Sequence, residues 1–211
     1  MEISVSVLNS IDRITDVKKL NNTNCDYIHI DVMDGMFVKP VEFSFDEVKD
    51  IINVSNKKID VHLMCDDPIK YIEKLVNYNI YNITFHEEID GNLFDIIDII
   101  KKHNINVGMS IKPNTSIDKL YKYLDKIDLV LVMSVEPGYG GQKFMTSSLD
   151  KVRELKKIIK ERNLNVKIEI DGGVNDTNID LIKESLVDIS VVGSYITKSN
   201  DFNKSINKLK Y

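Results

Sequence analysis

Cysteine and tryptophan are nearly absent from this chain, whose 211 residues include two cysteines and no tryptophan. Cys25 and Cys65 lie far apart in the sequence and form no Cys-x-x-Cys pair. Such sparing use of cysteine is typical of proteins in a reducing compartment, so we expect the protein in the cytoplasm.

An excess of positive charge and a long hydrophobic run are also lacking. The net charge of −5 at pH 7 and the isoelectric point near 5.4 argue against a nucleic-acid binder and against a polybasic membrane anchor. No apolar run approaches the roughly 20 residues of a transmembrane helix. The N-terminus also lacks the basic-then-apolar pattern of a secretion signal. We therefore expect neither nucleic acid nor membrane among the partners.

Hydrophobic residues make up 43% of the chain and charged residues 29%. This balance and this length suit one domain with a full core, spanning residues 1–211.

Apolar, strand-like runs alternate with amphipathic helical stretches along the whole chain. The predicted strands are 3–8, 27–32, 58–63, 82–85, 106–111, 129–134, 166–171 and 189–192. The predicted helices are 11–21, 44–54, 67–78, 92–103, 116–123, 146–162, 175–185 and 201–209. Alternating units imply a parallel sheet with right-handed crossovers. Eight of them favour a single-domain (β/α)8 TIM barrel, with an open doubly wound sheet as the alternative.

Four polar residues lie at or near the C-terminal ends of three predicted strands: His29, Asp31, His62 and Asp171. In a (β/α)8 barrel this end of the strands carries the functional residues. Two imidazoles and two carboxylates can bind a divalent metal such as Zn, Fe, Mn or Co, and the carboxylates can also move protons. Asp31 and Asp171 could take a proton from one face of a carbon beside a carbonyl and return one to the other face. The alternative is that the histidines are ordinary core residues satisfied by their neighbours.

Three methionines accompany these residues. Met33 and Met64 follow Asp31 and His62 by two positions, and Met133 lies near the end of the sixth strand. All three are expected to face the barrel mouth, where a soft apolar cover excludes water from a reactive enediolate. For any one of them, gap-filling at the top of the barrel is the alternative. Ser6, near the end of the first strand, is a weaker candidate for a bond to a substrate hydroxyl.

Glycines cluster after the last three strands. They form the segments Glu136-Pro137-Gly138-Tyr139-Gly140-Gly141-Gln142, Asp171-Gly172-Gly173 and Gly193-Ser194. Glycine lets backbone N–H groups approach an anion, and barrels often bind phosphate in the loops after strands 7 and 8. The three segments together therefore predict a phosphate site.

Five segments carry a recognisable combination of motifs. They are 29–35 (His-Ile-Asp-Val-Met-Asp-Gly), 60–64 (Asp-Val-His-Leu-Met), 133–144 (Met-Ser-Val-Glu-Pro-Gly-Tyr-Gly-Gly-Gln-Lys-Phe), 171–175 (Asp-Gly-Gly-Val-Asn) and 192–194 (Val-Gly-Ser). Together they resemble the ribulose-phosphate 3-epimerase family, and the match runs from Ser6 to about Ile196.

The resemblance implies a metal-dependent isomerase on a (β/α)8 barrel that interconverts D-ribulose 5-phosphate and D-xylulose 5-phosphate through an enediolate, a step of the pentose phosphate pathway. It implies that one divalent metal ion is held by His29, Asp31, His62 and Asp171. It implies that Asp31 and Asp171 are the acid and base at C3. The implied substrate contacts are Ser6, His62, Gly138, Tyr139, Gly140, Gly141, Asp171, Gly172, Gly173, Gly193 and Ser194, and the implied enediolate shield is Met33, Met64 and Met133. Family members assemble as dimers or hexamers, so a homo-oligomer is expected.

The chain departs from the family pattern in a few places. Met36 stands where the family usually has histidine, residues 38–41 replace a Val-Pro-Asn stretch, Val5 replaces a proline, and Lys112-Pro113 replaces Asn-Pro. None of these changes removes a proposed ligand, but the altered loop at 36–41 bears on lid closure and on the sugar accepted.

Three other functions stay open at this point. A hexulose-phosphate 3-epimerase, acting for example on allulose 6-phosphate, would share the four polar residues. A phosphate-binding lyase or decarboxylase would need a catalytic lysine, for which Lys112 is the one candidate. A non-catalytic sugar-phosphate-binding barrel would not need both carboxylates.

Overall fold

The computed structural model describes all residues, 1–211. It contains nine strands: β1 (Glu2–Ser6), β2 (Tyr27–Asp34), β3 (Val41–Glu42), β4 (Lys58–Met64), β5 (Asn82–His86), β6 (Asn106–Ile111), β7 (Leu129–Met133), β8 (Lys167–Asp171) and β9 (Ile189–Val192). Eight of them correspond to the eight predicted strands. The two-residue strand β3 was not expected; it pairs antiparallel with the end of β2.

The eight longer strands form a closed barrel. They are hydrogen-bonded in parallel in the order β1-β9-β8-β7-β6-β5-β4-β2, and β1 also pairs with β2. Because β1 has a partner on both sides, the sheet has no open edge among these eight strands. The predicted (β/α)8 barrel is therefore confirmed, and the open doubly wound sheet is excluded.

Helices and one 3-10 turn cover the outside of the barrel. The helices are α1 (Arg13–Leu20), α2 (Phe45–Val54), α3 (Ile69–Leu75), α4 (Leu93–Lys101), α5 (Ser148–Glu161), α6 (Ile179–Glu184), α7 (Ser194–Thr197) and α8 (Phe202–Lys210). None of them is long and apolar enough to span a bilayer.

The helix predicted at 116–123 is wrong in type. That segment forms a 3-10 helix at Ile117–Leu120 instead. Ile117 and Leu120 are both buried, and residues three apart lie on the same side of a 3-10 helix. One tight turn therefore covers the barrel here without a longer helix.

Successive side chains along each strand point alternately into two hydrophobic cores, one between the barrel and the helices and one inside the barrel. On β2, Ile28 and Ile30 belong to a 52-residue cluster between barrel and helices, whereas Tyr27 packs inside the barrel in a cluster with Leu129 and Leu131. His29 and Asp31 share the parity of Tyr27, because successive side chains on a strand point to opposite faces. The strand pattern thus directs the polar residues of β2 into the barrel interior.

Candidate active site

Strand register brings the four predicted ligands together. Parallel pairing sets Asp31 beside His62 and His29 beside Asp60, and it sets Asp171 beside Met133 at the ends of β8 and β7. One potential ligand atom from each of His29, Asp31, His62 and Asp171 lies within 4.8 Å of the other three. Strand ends that are remote in sequence therefore form one compact cluster.

The His29 imidazole has one nitrogen engaged and one free. Nδ1 lies 2.7 Å from Asp60 Oδ2, so an Nδ1–H donates to that carboxylate. Nε2 is fully buried, 3.3 Å from Asp31 Oδ1, and makes no hydrogen bond. A buried polar atom without a partner is costly. A divalent ion at this position would satisfy it, and histidine ligands commonly donate their other nitrogen to a carboxylate in this way.

The His62 ring also faces the cluster with one nitrogen. Its Nδ1 lies 3.4 Å from Asp31 Oδ1, and its Nε2 lies 2.9 Å from His86 Nε2. His86 Nδ1 in turn lies 3.0 Å from Glu88 Oε2. All three imidazoles have 0% exposed surface, so each ring depends on protein partners for its polar contacts.

The two predicted acid/base carboxylates have opposite pKa shifts. Burial raises the pKa of Asp31, but the positive charge of the neighbouring His29 outweighs burial and brings the pKa well below the usual range. Burial and the negative charge of Asp31 raise the pKa of Asp171 to about 7. Two neighbouring carboxylates with pKa values pushed apart are a common arrangement for an acid and a base in one site.

The carboxylates of the cluster stabilise positive charge at His29. Burial lowers the pKa of His29, but Asp31 and Asp60 outweigh burial and raise it well above the usual value. The carboxylates thus favour a cation at this point, either a proton on the imidazole or a metal ion.

A second polar layer lies deeper in the barrel, and the sequence analysis missed it. Asp60 accepts hydrogen bonds from Ser4 Oγ at 3.1 Å and from Asn82 Nδ2 at 2.9 Å. Glu169 is fully buried, and burial together with the charge of Asp60 raises its pKa well above the usual range. The layer fixes Asp60, which orients His29.

His86 and Glu88 were also missed, although the sequence contained a signal for His86. His86 directly follows the predicted strand 82–85, and His62 likewise lies near the end of its predicted strand, 58–63. Glu88 lies two residues further on and gives no comparable pattern.

A cavity of about 320 Å³ opens over the cluster at the C-terminal end of the barrel. Predicted site residues that line it are Ser6, Asp31, Met33, Met64, Met133, Gly138, Tyr139, Gly140, Gly141, Asp171, Gly172, Gly173, Gly193 and Ser194. His29 and His62 lie behind this lining with no exposed surface. The structure thus places every predicted residue at or directly behind one cavity.

The cavity wall carries no lysine or arginine among its 24 residues. Asn9, which the sequence analysis missed, lies in this wall and donates from Nδ2 to Ser194 Oγ at 2.9 Å. A Cβ on Gly140 would lie 1.9 Å from Asn9 Nδ2. Glycine at 140 therefore leaves the room that the Asn9 amide occupies.

The altered loop at 36–41 covers part of the site. Val38 packs in one apolar cluster with Met33 and Met64, and a Cβ on Gly138 would lie 3.2 Å from Val38 Cβ. Met36, which stands in place of the family histidine, is 78% exposed. The loop thus contacts both the methionines and the glycine segment, while its substituted residue points to solvent.

Lys112, the candidate lysine of a lyase, lies outside the cavity lining. Its Nζ lies 3.8 Å from the centroid of the Phe37 ring, which itself packs on His86 at 4.5 Å. A cation held on an aromatic face at this position does not reach the cavity.

The chain is similar to one known protein family over most of its length. The model of the family described as "Ribulose-phosphate 3 epimerase family" matches residues 2–197. Ribulose-phosphate 3-epimerase of Mycobacterium tuberculosis H37Rv is 37% identical over 176 residues, covering 83% of this chain and 77% of that protein. The enzyme of the same name from Helicobacter pylori J99 is 34% identical over 211 residues, covering 100% and 97%.

Among solved structures, KGPDC from Streptococcus mutans superposes with a TM-score of 0.73 at 14% identity, covering 99% of this chain and 95% of that one. A mutant tryptophan synthase α-subunit from Pyrococcus furiosus gives 0.73 at 16% identity, covering 99% and 96%. At such low identity these likenesses concern the barrel alone. The family model, in contrast, matches nearly the whole chain, and the two relatives above are 37% and 34% identical to it. The chain therefore belongs to the ribulose-phosphate 3-epimerase family.

Proposed function

We propose that this protein is a single-domain, metal-dependent enzyme that interconverts D-ribulose 5-phosphate and D-xylulose 5-phosphate. The observation that carries the proposal is the convergence of Asp31 and Asp171, with opposite pKa shifts, beside two buried histidines. The names of the family and of the relatives indicate a ribulose phosphate as the substrate. The cavity above the cluster offers a binding site for it.

The two carboxylates divide the proton transfer at C3 between them. Asp31, ionised, removes the C3 proton of one epimer, and Asp171, whose pKa is raised by burial and by the charge of Asp31, delivers a proton to the other face. In the reverse direction they exchange roles. Ser6 Oγ donates to Asp31 Oδ2 at 2.7 Å and leaves Oδ1 turned toward the histidines, which fixes the orientation of this carboxylate.

A divalent metal fits the donor set of His29, Asp31, His62 and Asp171. Two imidazole nitrogens and two carboxylates suit Zn, Fe, Mn or Co, and the orphaned Nε2 of His29 is the atom that most needs such an ion. When bound, the ion would supply positive charge that stabilises the negative oxygen next to C3.

The three methionines keep water away from C3. Met33, Met64 and Met133 are each 2% exposed yet line the cavity. Thioether side chains neither protonate nor compete for the ion as carboxylates do, so they cover a carbanionic carbon without quenching it.

The glycine segments would hold the phosphate. Gly172 and Gly173 have φ values of +120° and +68°, and a Cβ on Gly173 would lie 2.5 Å from Phe144 N. Residues with side chains are strained in this conformation, so the turn requires glycine and brings backbone close to the cavity. Because the wall has no Lys or Arg, neutral N–H and O–H donors would have to bind the dianion.

Replacing Asn9 with Ala is expected to raise KM for the sugar phosphate by about tenfold, with kcat nearly unchanged. The Asn9 amide occupies one lone pair of Ser194 Oγ and so directs the Ser194 O–H toward the phosphate. One hydrogen bond to a charged group contributes about 1.5 kcal/mol, which corresponds to roughly tenfold in affinity. Steady-state kinetics measure both constants, and Asn56→Ala, an exposed change remote from the cavity lining, is the control. A fall in kcat at constant KM would contradict this role.

The alternative substrate class is a hexulose 6-phosphate, because residues 36–41 differ from the family pattern. We expect kcat/KM for ribulose 5-phosphate to exceed that for allulose 6-phosphate by at least about tenfold, since one extra CHOH unit must fit a cavity of about 320 Å³. Equal or reversed values would assign the protein to the hexulose class. Activity on neither sugar phosphate, in protein loaded with metal, would support the non-catalytic barrel.

We also propose a cytoplasmic location and a homo-oligomer, either dimer or hexamer. Two free, buried cysteines support a reducing compartment. Light scattering coupled to size exclusion measures the oligomer, and a monomer at micromolar concentration would contradict it.

A further inference from the structure

His62 can present only one nitrogen to the ion, and its neighbours determine which one. Its Nδ1 points to the cluster, and its Nε2 lies 2.9 Å from His86 Nε2. Two nitrogens at this distance need one hydrogen between them, so one ring donates and the other accepts. The state of His86 therefore decides whether His62 Nδ1 carries a proton or a lone pair.

Glu88 fixes the state of His86. An ionised carboxylate only accepts hydrogen bonds, so the 3.0 Å contact requires an N–H at His86 Nδ1. The neutral His86 ring then accepts at Nε2, His62 donates from Nε2, and His62 Nδ1 is left with its lone pair facing Asp31 and the ion position. The three residues form a one-way chain of donors that ends at a free ligand nitrogen.

The Glu88 carboxylate is itself held in a fixed orientation. Its Oε1 accepts the backbone N–H of Lys112 at 2.7 Å and also the hydroxyl of Thr115. Lys151 Nζ binds three carbonyl oxygens of the same loop, those of Lys112, Pro113 and Thr115, at 3.1, 2.6 and 2.6 Å. The loop after β6, clamped by α5, therefore supplies donors that leave only Oε2 for His86.

We propose that His86 and Glu88 are positioning residues that set the tautomer of His62, so that its Nδ1 is the nitrogen presented to the ion. Neither residue lines the cavity, so both act through His62 and not on the sugar. The proposal rests on the metal site of the proposed function, but it concerns ion binding and not the epimerase reaction.

Glu88→Gln reverses the chain of donors with little change in shape. The Lys112 N–H always donates, so the amide oxygen of the new side chain must face it, and the NH2 group must face His86 Nδ1. His86 then carries its hydrogen on Nε2, and His62 must accept there and protonate Nδ1. We expect Zn²⁺ and Co²⁺ affinity, measured by competition with a chromogenic chelator, to fall by about 10- to 100-fold, as for other partners of metal-bound histidines.

Glu87→Gln is the matched control. Glu87 adjoins Glu88 and has similar side-chain exposure, 11% against 15%, but it pairs with Lys119 at 3.4 Å and not with a histidine. Affinity in this variant is expected to stay within about twofold of the parent, because Glu87 contacts none of the histidines. An equal loss in both variants, or no loss in Glu88→Gln, would overturn the proposal.

Nitrogen-15 NMR of histidine-labelled, zinc-loaded protein tests the proposal without any substitution. We expect His86 to carry its hydrogen on Nδ1 and His62 to carry its hydrogen on Nε2 while binding zinc through Nδ1. Zinc on Nε2 of His62, or a hydrogen on Nε2 of His86, would overturn it even if the variants failed to fold. Because neither measurement uses a sugar, failure here is distinguishable from failure of the epimerase assignment.

Discussion

Replacement of Asp171 by Asn is expected to lower kcat for epimerisation by about 10³-fold while the barrel stays folded. A positioned acid or base contributes about 10²- to 10⁴-fold, and Asn can neither take nor give the proton. The Asn side chain keeps the shape of Asp and an oxygen that can still face the ion. Circular dichroism and metal content measured alongside the rate separate lost chemistry from lost structure.

The Asp171 and Asp31 variants are expected to be complementary in isotope exchange. With two carboxylates on opposite faces of C3, Asp31→Asn should exchange the C3 hydrogen of one epimer with deuterated water, and Asp171→Asn that of the other. The control is Asp66→Asn, since Asp66 is an exposed carboxylate after β4 that does not line the cavity. Near-normal epimerisation in both site variants would contradict the two-carboxylate mechanism.

Removal of the metal with a chelator is expected to cost about 10³-fold in kcat, because charge stabilisation by a metal contributes several kcal/mol and each 1.4 kcal/mol is about tenfold. Zn, Mn, Fe or Co should restore the rate, since the donor set tolerates all four.

Metal removal should also destabilise the fold. Asp31, Asp60 and Asp171 crowd negative charge around His29, and a bound cation relieves their repulsion. Metal at 100 times its Kd stabilises the folded state by about 2.7 kcal/mol, which is roughly 5–10 °C in Tm for a chain of this size. Full activity and an unchanged Tm in protein proven free of metal would contradict the assigned ligand set.

The barrel and the positions of the site residues were predictable from the sequence because both depend on local pattern. Strand-like runs alternating with helical stretches specify the (β/α)8 architecture, and that architecture places His29, His62 and Asp171 at one end of the barrel. Alternation within a strand then separates His29 and Asp31, which face inward, from Ile28 and Ile30, which face the helices.

The partners behind the ligands were not predictable, because they depend on strand register and on loop conformation. Asp60 contacts His29 because the register between β2 and β4 places these two residues side by side. Glu88 is held by a backbone N–H in the loop after β6, 24 residues away in sequence. Asn9 reaches Ser194 across 185 residues. No periodicity in the chain specifies such contacts.

The 3-10 helix at Ile117–Leu120 was missed for a related reason. The apolar spacing of residues 116–123 fits either helix type, and only the space left against the barrel selects the shorter turn.

The most direct test of the central claim is NMR of D-ribulose 5-phosphate with the metal-loaded enzyme in deuterated water. We expect D-xylulose 5-phosphate to form with deuterium at C3 and with no deuterium at C1. Epimerisation without solvent deuterium at C3, or no product at all, would contradict proton transfer by Asp31 and Asp171.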